Sequence, residues 1–248
     1  MTTTLCKGCG HAAEVARRIT MAFQPIVDVE NGTIFAHEAL VRGIDGESAA
    51  EVLGSVAHEN RYAFDQACRI VAIRKAAVLE PPGLLSINFL PNAVYVPEHC
   101  LQATLATAKE VNWPLHRVIF EVTEHEEVVD HNHLVSILTT YKAHGFLTAI
   151  DDFGAGFAGM NLLADFQPDI VKLDIGLVRG IDTNRARQII VRHLVDLCAQ
   201  LGVRPLAEGV ETMEEYRALR DIGIGLQQGF LFARPALDAV PTVAWRAS

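Results

Sequence analysis

Two adjacent carboxylates, Asp151 and Asp152, close an apolar run from Phe146 to Ile150 and are followed at once by a glycine-rich turn containing Gly154, Gly156 and Gly159. The next apolar run, Asp169 to Leu173, carries Lys172 and is followed by Asp174, so two consecutive strand-like segments deliver charge to one rim. Alone, an Asp-Asp pair before a glycine-rich turn is a solvated corner. It gains meaning from the polar residues near the ends of the other apolar runs: Gln24, Glu38 and Arg42, then Asn88, Glu121 and Glu124, then Glu208, Glu211 and Gln228. Carboxylates gathered at one rim repel and raise one another's pKa unless cations neutralise them. Carboxylates with one amide oxygen, and neither His nor Cys, suit a hard divalent ion such as Mg²⁺ or Mn²⁺ better than Zn²⁺. A carboxylate shared by two ions about 3.5 to 4 Å apart makes a two-metal site, which stabilises the attacking and leaving oxygens of a phosphoryl displacement. Lys172 and Arg42 would add positive charge for a phosphate. These residues point to metal-assisted hydrolysis of a phosphate ester and leave the ester open.

For such residues to meet, the strands must end side by side. In a parallel barrel the C-terminal strand ends and the loops after them build the active site. The chain supplies the needed alternation. After a short tail and lead helix (AAEVARRI), MAFQPIVDV and TIFAHEALVRG flank Glu30-Asn31-Gly32, whose Asn-Gly is a hairpin signal, so the first strand is antiparallel. Ser48 to Glu80 reads as one helical region, stopped by Pro81-Pro82-Gly83. Strands LLSINFL, VIFEVTE, FLTAIDDF, DIVKLDI, VRPLAEGVE and LQQGFLFA then alternate with helices. The longest of these helices runs from Asn184 to Gln200, with apolar residues at Ile189, Ile190, Leu194, Val195, Leu197 and Leu201 before Gly202. The expected fold is α/β, a TIM-like (β/α)8 barrel with an antiparallel first strand. Its boundaries are a tail and lead helix over 1–20 and the barrel over 21–248.

Composition agrees with that size: 248 residues, half hydrophobic and 21% charged, suit one barrel of roughly 250 residues. No apolar run approaches the ~20 residues that cross a bilayer and no signal peptide is evident, so the expectation is a cytoplasmic protein. A net charge of −9 argues against a polynucleotide partner, which would meet a basic stripe. A small phosphorylated ligand remains compatible if metal ions lie between its phosphate and the carboxylates. Five scattered cysteines do not form a disulfide framework. Cys6 and Cys9 form a CxxC with His11 nearby, at most part of a zinc site, and the plainer reading is a reduced tail.

The chain resembles the EAL-domain family of bacterial cyclic di-GMP phosphodiesterases over about Met21 to Pro235. The matching segments are FQPIV, the name-giving EAL of HEALVRG, SINFLP, FEVTE, DDFGAG, DIVKLD, AEGVET and QGFLFARP, in the family's order. The resemblance implies hydrolysis of cyclic di-GMP to linear pGpG with two ions, Mg²⁺ or Mn²⁺. It implies Glu38, Asn88, Glu121 and Asp151 as ligands of one ion, with Asp151 bridging to a second held also by Asp152 and Glu208. Lys172 would orient or deprotonate the attacking water. Gln24, Leu40, Arg42 and Gln228 would contact the substrate, and Glu124, Asp174 and Glu211 would support the ligands, Glu124 by anchoring the glycine-rich loop. That loop departs from the family's usual DFGTGYSSL: hydroxyls common there are replaced by Ala155, Phe157 and Ala158, and EALLR appears as EALVR. No expected metal ligand is lost. The alternative is a non-catalytic cyclic di-GMP receptor that signals through a protein partner. A homodimer, and a sensor or regulatory partner in place of the sensor domain many relatives carry, are further family expectations.

Overall fold

A computed structural model of the chain describes residues 12, 14–123, 130–155 and 159–245. The chain enters through a hairpin of β1 (Ile19–Asp28) and β2 (Thr33–Gly43). Asp28 sets its turn by accepting the backbone N–H groups of Glu30 and Asn31 and the Asn31 side-chain amide, and Gly32 takes the left-handed backbone (φ 61°) that an Asn-Gly turn requires. The remaining barrel strands are β3 (Leu84–Asn88), β4 (Val118–Thr123), β5 (Leu147–Phe153), β6 (Ile170–Leu173), β7 (Arg204–Ala207) and β8 (Leu226–Gln228). From β2 to β8 each strand pairs in parallel with the next. β1 pairs antiparallel with both β2 and β8 and so closes the barrel. The expected TIM-like barrel with an antiparallel first strand is the observed architecture, and a short β9 (Ala236–Leu237) adds to the outer part of β1.

Helices cover the outside. The region Ser48 to Glu80 is not one helix: α1 (Ala49–Ser55) ends at an extended Val56, and α2 (Arg61–Leu79) begins after a 3₁₀ turn. Gly54 and Ser55 favour a break, since both are poor helix formers in an interior. A capping box of Ser48 with Glu51 fixes the start of α1, and Glu80 in the left-handed region ends α2 before the prolines. Next come α3 (Pro97–Cys100), α4 (Gln102–Glu110), α5 (His131–Ala143), α6 (Gly159–Asp165), α7 (Ile175–Val178), α8 (Arg185–Leu201) and α9 (Met213–Ile222). In α8 the buried pair is Val191 and Cys198, two turns apart on one face, while Ile189 and Ile190 are 48% exposed. The apolar spacing there correctly gives a helix but overstates how much of it faces the barrel, because a helix on a barrel buries one stripe. Among the described residues no helix is long and apolar enough to cross a membrane.

The core has two parts. A large outer layer lies between helices and strands and includes Phe120, Val122, Ile150, Val171 and Leu173. A smaller plug lies within the barrel: Ile26, Ala36, Ile119, Ala149, Ile170, Leu206 and Leu226, one from each of seven strands. Side chains alternate along a strand, so the residue two positions nearer the C-terminal rim also points inward. Those residues are Glu38, Glu121, Asp151, Lys172, Glu208 and Gln228, and on the reversed β1 the corresponding one is Gln24.

Candidate metal centre

Lys172 stands at the centre of the polar layer above the plug, fully buried. Its Nζ lies 2.8 Å from Glu208 Oε1, 2.9 Å from Glu121 Oε2, 3.1 Å from Asp151 Oδ1 and 3.7 Å from Glu38 Oε2. Burial pulls the ammonium's pKa down, but Asp151, Glu121, Glu208 and Glu38 outweigh it and hold the group well above the ordinary lysine value. The carboxyls feel the reverse. Burial, with repulsion from Glu38 and Asp151, pushes Glu121 up to about 8 against the pull of Lys172 and Ser86. Glu208 also stands well above its usual value, chiefly through burial, with Asp151 and Glu38 repelling it and Lys172 acting in the opposite sense. One ammonium thus compensates only part of the clustered negative charge.

The remaining charge has a geometry suited to cations. Glu38, Glu121 and Asp151 each offer a carboxylate oxygen within 4.8 Å of the others, and Asp151, Asp152 and Glu208 do the same. Asp151 belongs to both groups. Asn88 donates to Glu38 Oε1 at 2.9 Å, which leaves its amide oxygen as a neutral donor atom beside the first group. All these donors are oxygens, the set that hard divalent ions prefer, so the residues present fit the ions expected.

Each ligand candidate is fixed by its strand and one or two neighbours. Gln228 donates to Glu38 Oε2 at 2.8 Å and to Gln24 Oε1 at 3.3 Å, while Gln24 donates to the Ala233 carbonyl at 3.2 Å. Ser86, two residues before Asn88 on the inner face of β3, donates to Glu121 Oε1. Thr123 donates to Asp152 Oδ2 at 2.9 Å. Gly229 lets β8 end where it does, because a Cβ there would collide with the Val210 backbone, whose N–H is bonded to the Gln228 carbonyl at 3.0 Å.

The acid pair does not simply end its strand. β5 continues through both acids to Phe153, and its register against β6 shifts between Ile150 and Phe153. Two successive residues of a regular strand would face opposite sides; a bulge re-aims one of them. Here Asp152 adopts φ 55° and its N–H donates to Asp151 Oδ1 at 2.8 Å, so both carboxylates join the cluster. Asn and Asp tolerate that left-handed backbone better than most residues.

Other expected site residues lie further out. Leu40 lines a cavity of about 330 Å³ together with Glu38, Asn88, Asp151, Asp152 and Phe64. Arg42 donates to the Val41 carbonyl at 2.7 Å. Asp174 caps α7 by accepting the Gly176 N–H at 2.7 Å. Glu211 is exposed and pairs with Arg179 at 2.8 Å. Glu124, with Gly156, Cys6, Cys9 and His11, lies outside the described residues. Sequence reasoning missed Ser86 and Thr123; their signal was present, since each stands two positions from a ligand candidate on an inward-facing strand.

Such a barrel, with carboxylate oxygens converging at the C-terminal mouth around a shared aspartate, presents a candidate metal centre. The EAL domain family model matches residues 12–235, and the chain belongs to the EAL domain family. It is similar to a standalone versatile EAL protein from Vibrio cholerae O395 in its cyclic di-GMP-bound form, with 50% identity over 91% of this chain and 95% of that one, TM-score 0.88. The manganese and cyclic di-GMP complex of Klebsiella pneumoniae BlrP1 is 36% identical over 92% of this chain and 58% of that one, TM-score 0.87. The blue light- and temperature-regulated antirepressor BluF of Escherichia coli (strain K12) is 33% identical over 225 residues, 90% of this chain. The chain spans about half the length of that relative, 56%.

Proposed function

We propose that the chain hydrolyses cyclic di-GMP to linear pGpG at the barrel mouth, with two divalent ions, Mg²⁺ or Mn²⁺. The observation that carries this reading is Asp151, whose carboxylate belongs to both oxygen clusters. Glu38, Asn88, Glu121 and Asp151 would hold one ion, and Asp151, Asp152 and Glu208 the other. When bound, such ions lower the pKa of a water and stabilise the oxygens of an in-line displacement. The protein's own residues do the rest. Lys172, held as an ammonium between Asp151 and Glu208, orients the attacking water by donating to it. Gln24 and Gln228, linked to each other and to Glu38, present amides to the substrate, and Arg42 a guanidinium to its phosphate. Leu40 gives the cavity an apolar wall. Asp174, Glu211 and Glu124 would steady the loops that carry the ligands.

BluF, an antirepressor, favours a second reading, in which this chain binds the cyclic dinucleotide and signals through a partner protein. Chromatography of cyclic di-GMP incubated with the chain, with and without Mn²⁺, separates the two. The proposal expects pGpG to appear only with the metal. Cyclic di-GMP that is bound but recovered intact at saturating Mn²⁺ would decide for the receptor.

A further inference from the structure

Outside the barrel wall, where α2 packs on the ends of β3 and β4, lies a buried charged network that the metal cluster does not include. Arg69 and Asp65, one turn apart on α2, are 0% and 2% exposed. Arg69 Nη2 lies 2.6 Å from Asp65 Oδ2, and Nη1 donates to the Tyr141 hydroxyl of α5 at 2.7 Å. The guanidinium carbon is 5.5 Å from the ring centre of Phe89, 5.2 Å from that of Phe120 and 5.5 Å from that of Tyr141. The second Asp65 oxygen accepts the Leu90 N–H at 2.8 Å.

Two of the rings this network holds are next to ligand candidates. Phe89 follows Asn88, and Phe120 precedes Glu121. Alternation turns Asn88 and Glu121 toward the mouth as their neighbours turn out onto Arg69. The two strands are joined at that level: Asn88 stands opposite Glu121, and the Phe89 N–H donates to the Glu121 carbonyl at 3.0 Å. Asp65 also lines the cavity that Glu38, Asn88, Asp151 and Asp152 share. If the only need were a packed outer layer, apolar side chains would serve as well, since replacing a buried ion pair by hydrophobic residues is often neutral or stabilising. What charge adds is direction. A carboxylate on the Leu90 N–H and a guanidinium held against two rings fix the backbone on both sides of the Asn88 and Glu121 pair.

We propose that the Asp65–Arg69–Tyr141 network is a positioning device for Asn88 and Glu121, setting the affinity of the first cation site. This rests on the reading of the mouth as a cation site. The test is calorimetric titration of Mn²⁺ into the folded, substrate-free chain, with thermal unfolding of the metal-free protein followed in parallel. Two variants are used: Tyr141→Phe, which removes one hydroxyl, and Asp65→Asn with Arg69→Met, which removes both charges and leaves none unpaired. The double variant should weaken one Mn²⁺ binding step by about tenfold or more, as loss of an outer hydrogen-bonding partner does. Tyr141→Phe should weaken the same step by about threefold, the effect of one modest hydrogen bond. Mn²⁺ affinities unchanged in folded variants, whatever the shift in melting temperature, would overturn the proposal and leave the network a packing feature. If the double variant fails to fold, Tyr141→Phe decides alone by the same criterion. Absence of Mn²⁺ binding by the unaltered chain would instead overturn the reading of the mouth itself.

Discussion

The two ends of the barrel are made from the same strands, two residues apart. At one end Ile119, Ala149, Ile170, Leu206 and Leu226 meet as a dry plug. At the other, Glu121, Asp151, Lys172, Glu208 and Gln228 meet as a charged layer with Lys172 fully buried. The plug is stable because it removes apolar surface from water. The charged layer works against folding, since buried carboxylates close together cost free energy until something compensates them. The difference teaches that the plug and its outer layer of helices hold the strands in register, so that the mouth can keep a charge arrangement that would not assemble by itself. Changes at the plug should therefore cost stability, and changes at the mouth should cost metal binding and turnover.

The strongest break in that comparison is Asp151→Asn. It removes the charge shared by both oxygen clusters, and turnover of cyclic di-GMP should fall by about a thousandfold or more, since metal ions supply several kcal/mol of transition-state stabilisation. A variant within about tenfold of the unaltered rate, compared with the scale of that metal contribution, would refute the shared-ligand role.

At the other end, Ile119→Ala opens a hole in the plug, where Ile119 is fully buried. Denaturant unfolding should show a loss of about 2 to 5 kcal/mol. The turnover of molecules still folded should stay close to that of the unaltered chain; an equal loss in both would mean the ends are not separable.

A pH series on the metal-free chain sharpens the account further. Glu121 is pushed up to about 8 in the fold, against an ordinary value of 4.5, and Glu208 is raised as well. A carboxyl raised by folding contributes stability that is fully present below its unfolded pKa and is lost as pH climbs through the folded value. Melting temperature should therefore decline between about pH 5 and pH 8 in metal-free protein. Mn²⁺ should restore it more at pH 8 than at pH 6, because ligands bind metal deprotonated. A metal-free melting temperature that rises over this window would contradict the compensated-charge picture. The smallest expected effect is that of Thr123→Val, which removes the hydroxyl donating to Asp152; turnover should drop by about threefold to tenfold, the net worth of one ordinary hydrogen bond. An unchanged rate would place Thr123 outside the ligand-holding machinery.

Much of this contrast was legible in the chain, because strands write it with a period of two: Ile119 with Glu121, Ile170 with Lys172, Leu206 with Glu208. The hairpin of β1 and β2 was equally plain from Asn31-Gly32. What was not legible depends on neighbours. Alternation alone would send Asp151 and Asp152 to opposite faces, and only the pairing of β5 with β6 reveals the shift that brings both to the mouth. Asp65 and Arg69 at helical spacing look like a solvated pair on a helix surface; their burial is set by β3, β4 and α5, which lie far away in sequence. Ile189 and Ile190 show the reverse error, since helical periodicity cannot tell which apolar residues the barrel reaches.

The central claim is that the mouth holds two adjoining cation sites that share Asp151. Calorimetric titration of Mn²⁺ into the unaltered chain and into Asp151→Asn, with ions per folded chain counted, tests it most directly. The account predicts two ions for the unaltered chain and weakening of both binding steps in the variant. A variant that loses one ion and binds the other with unchanged affinity would contradict it.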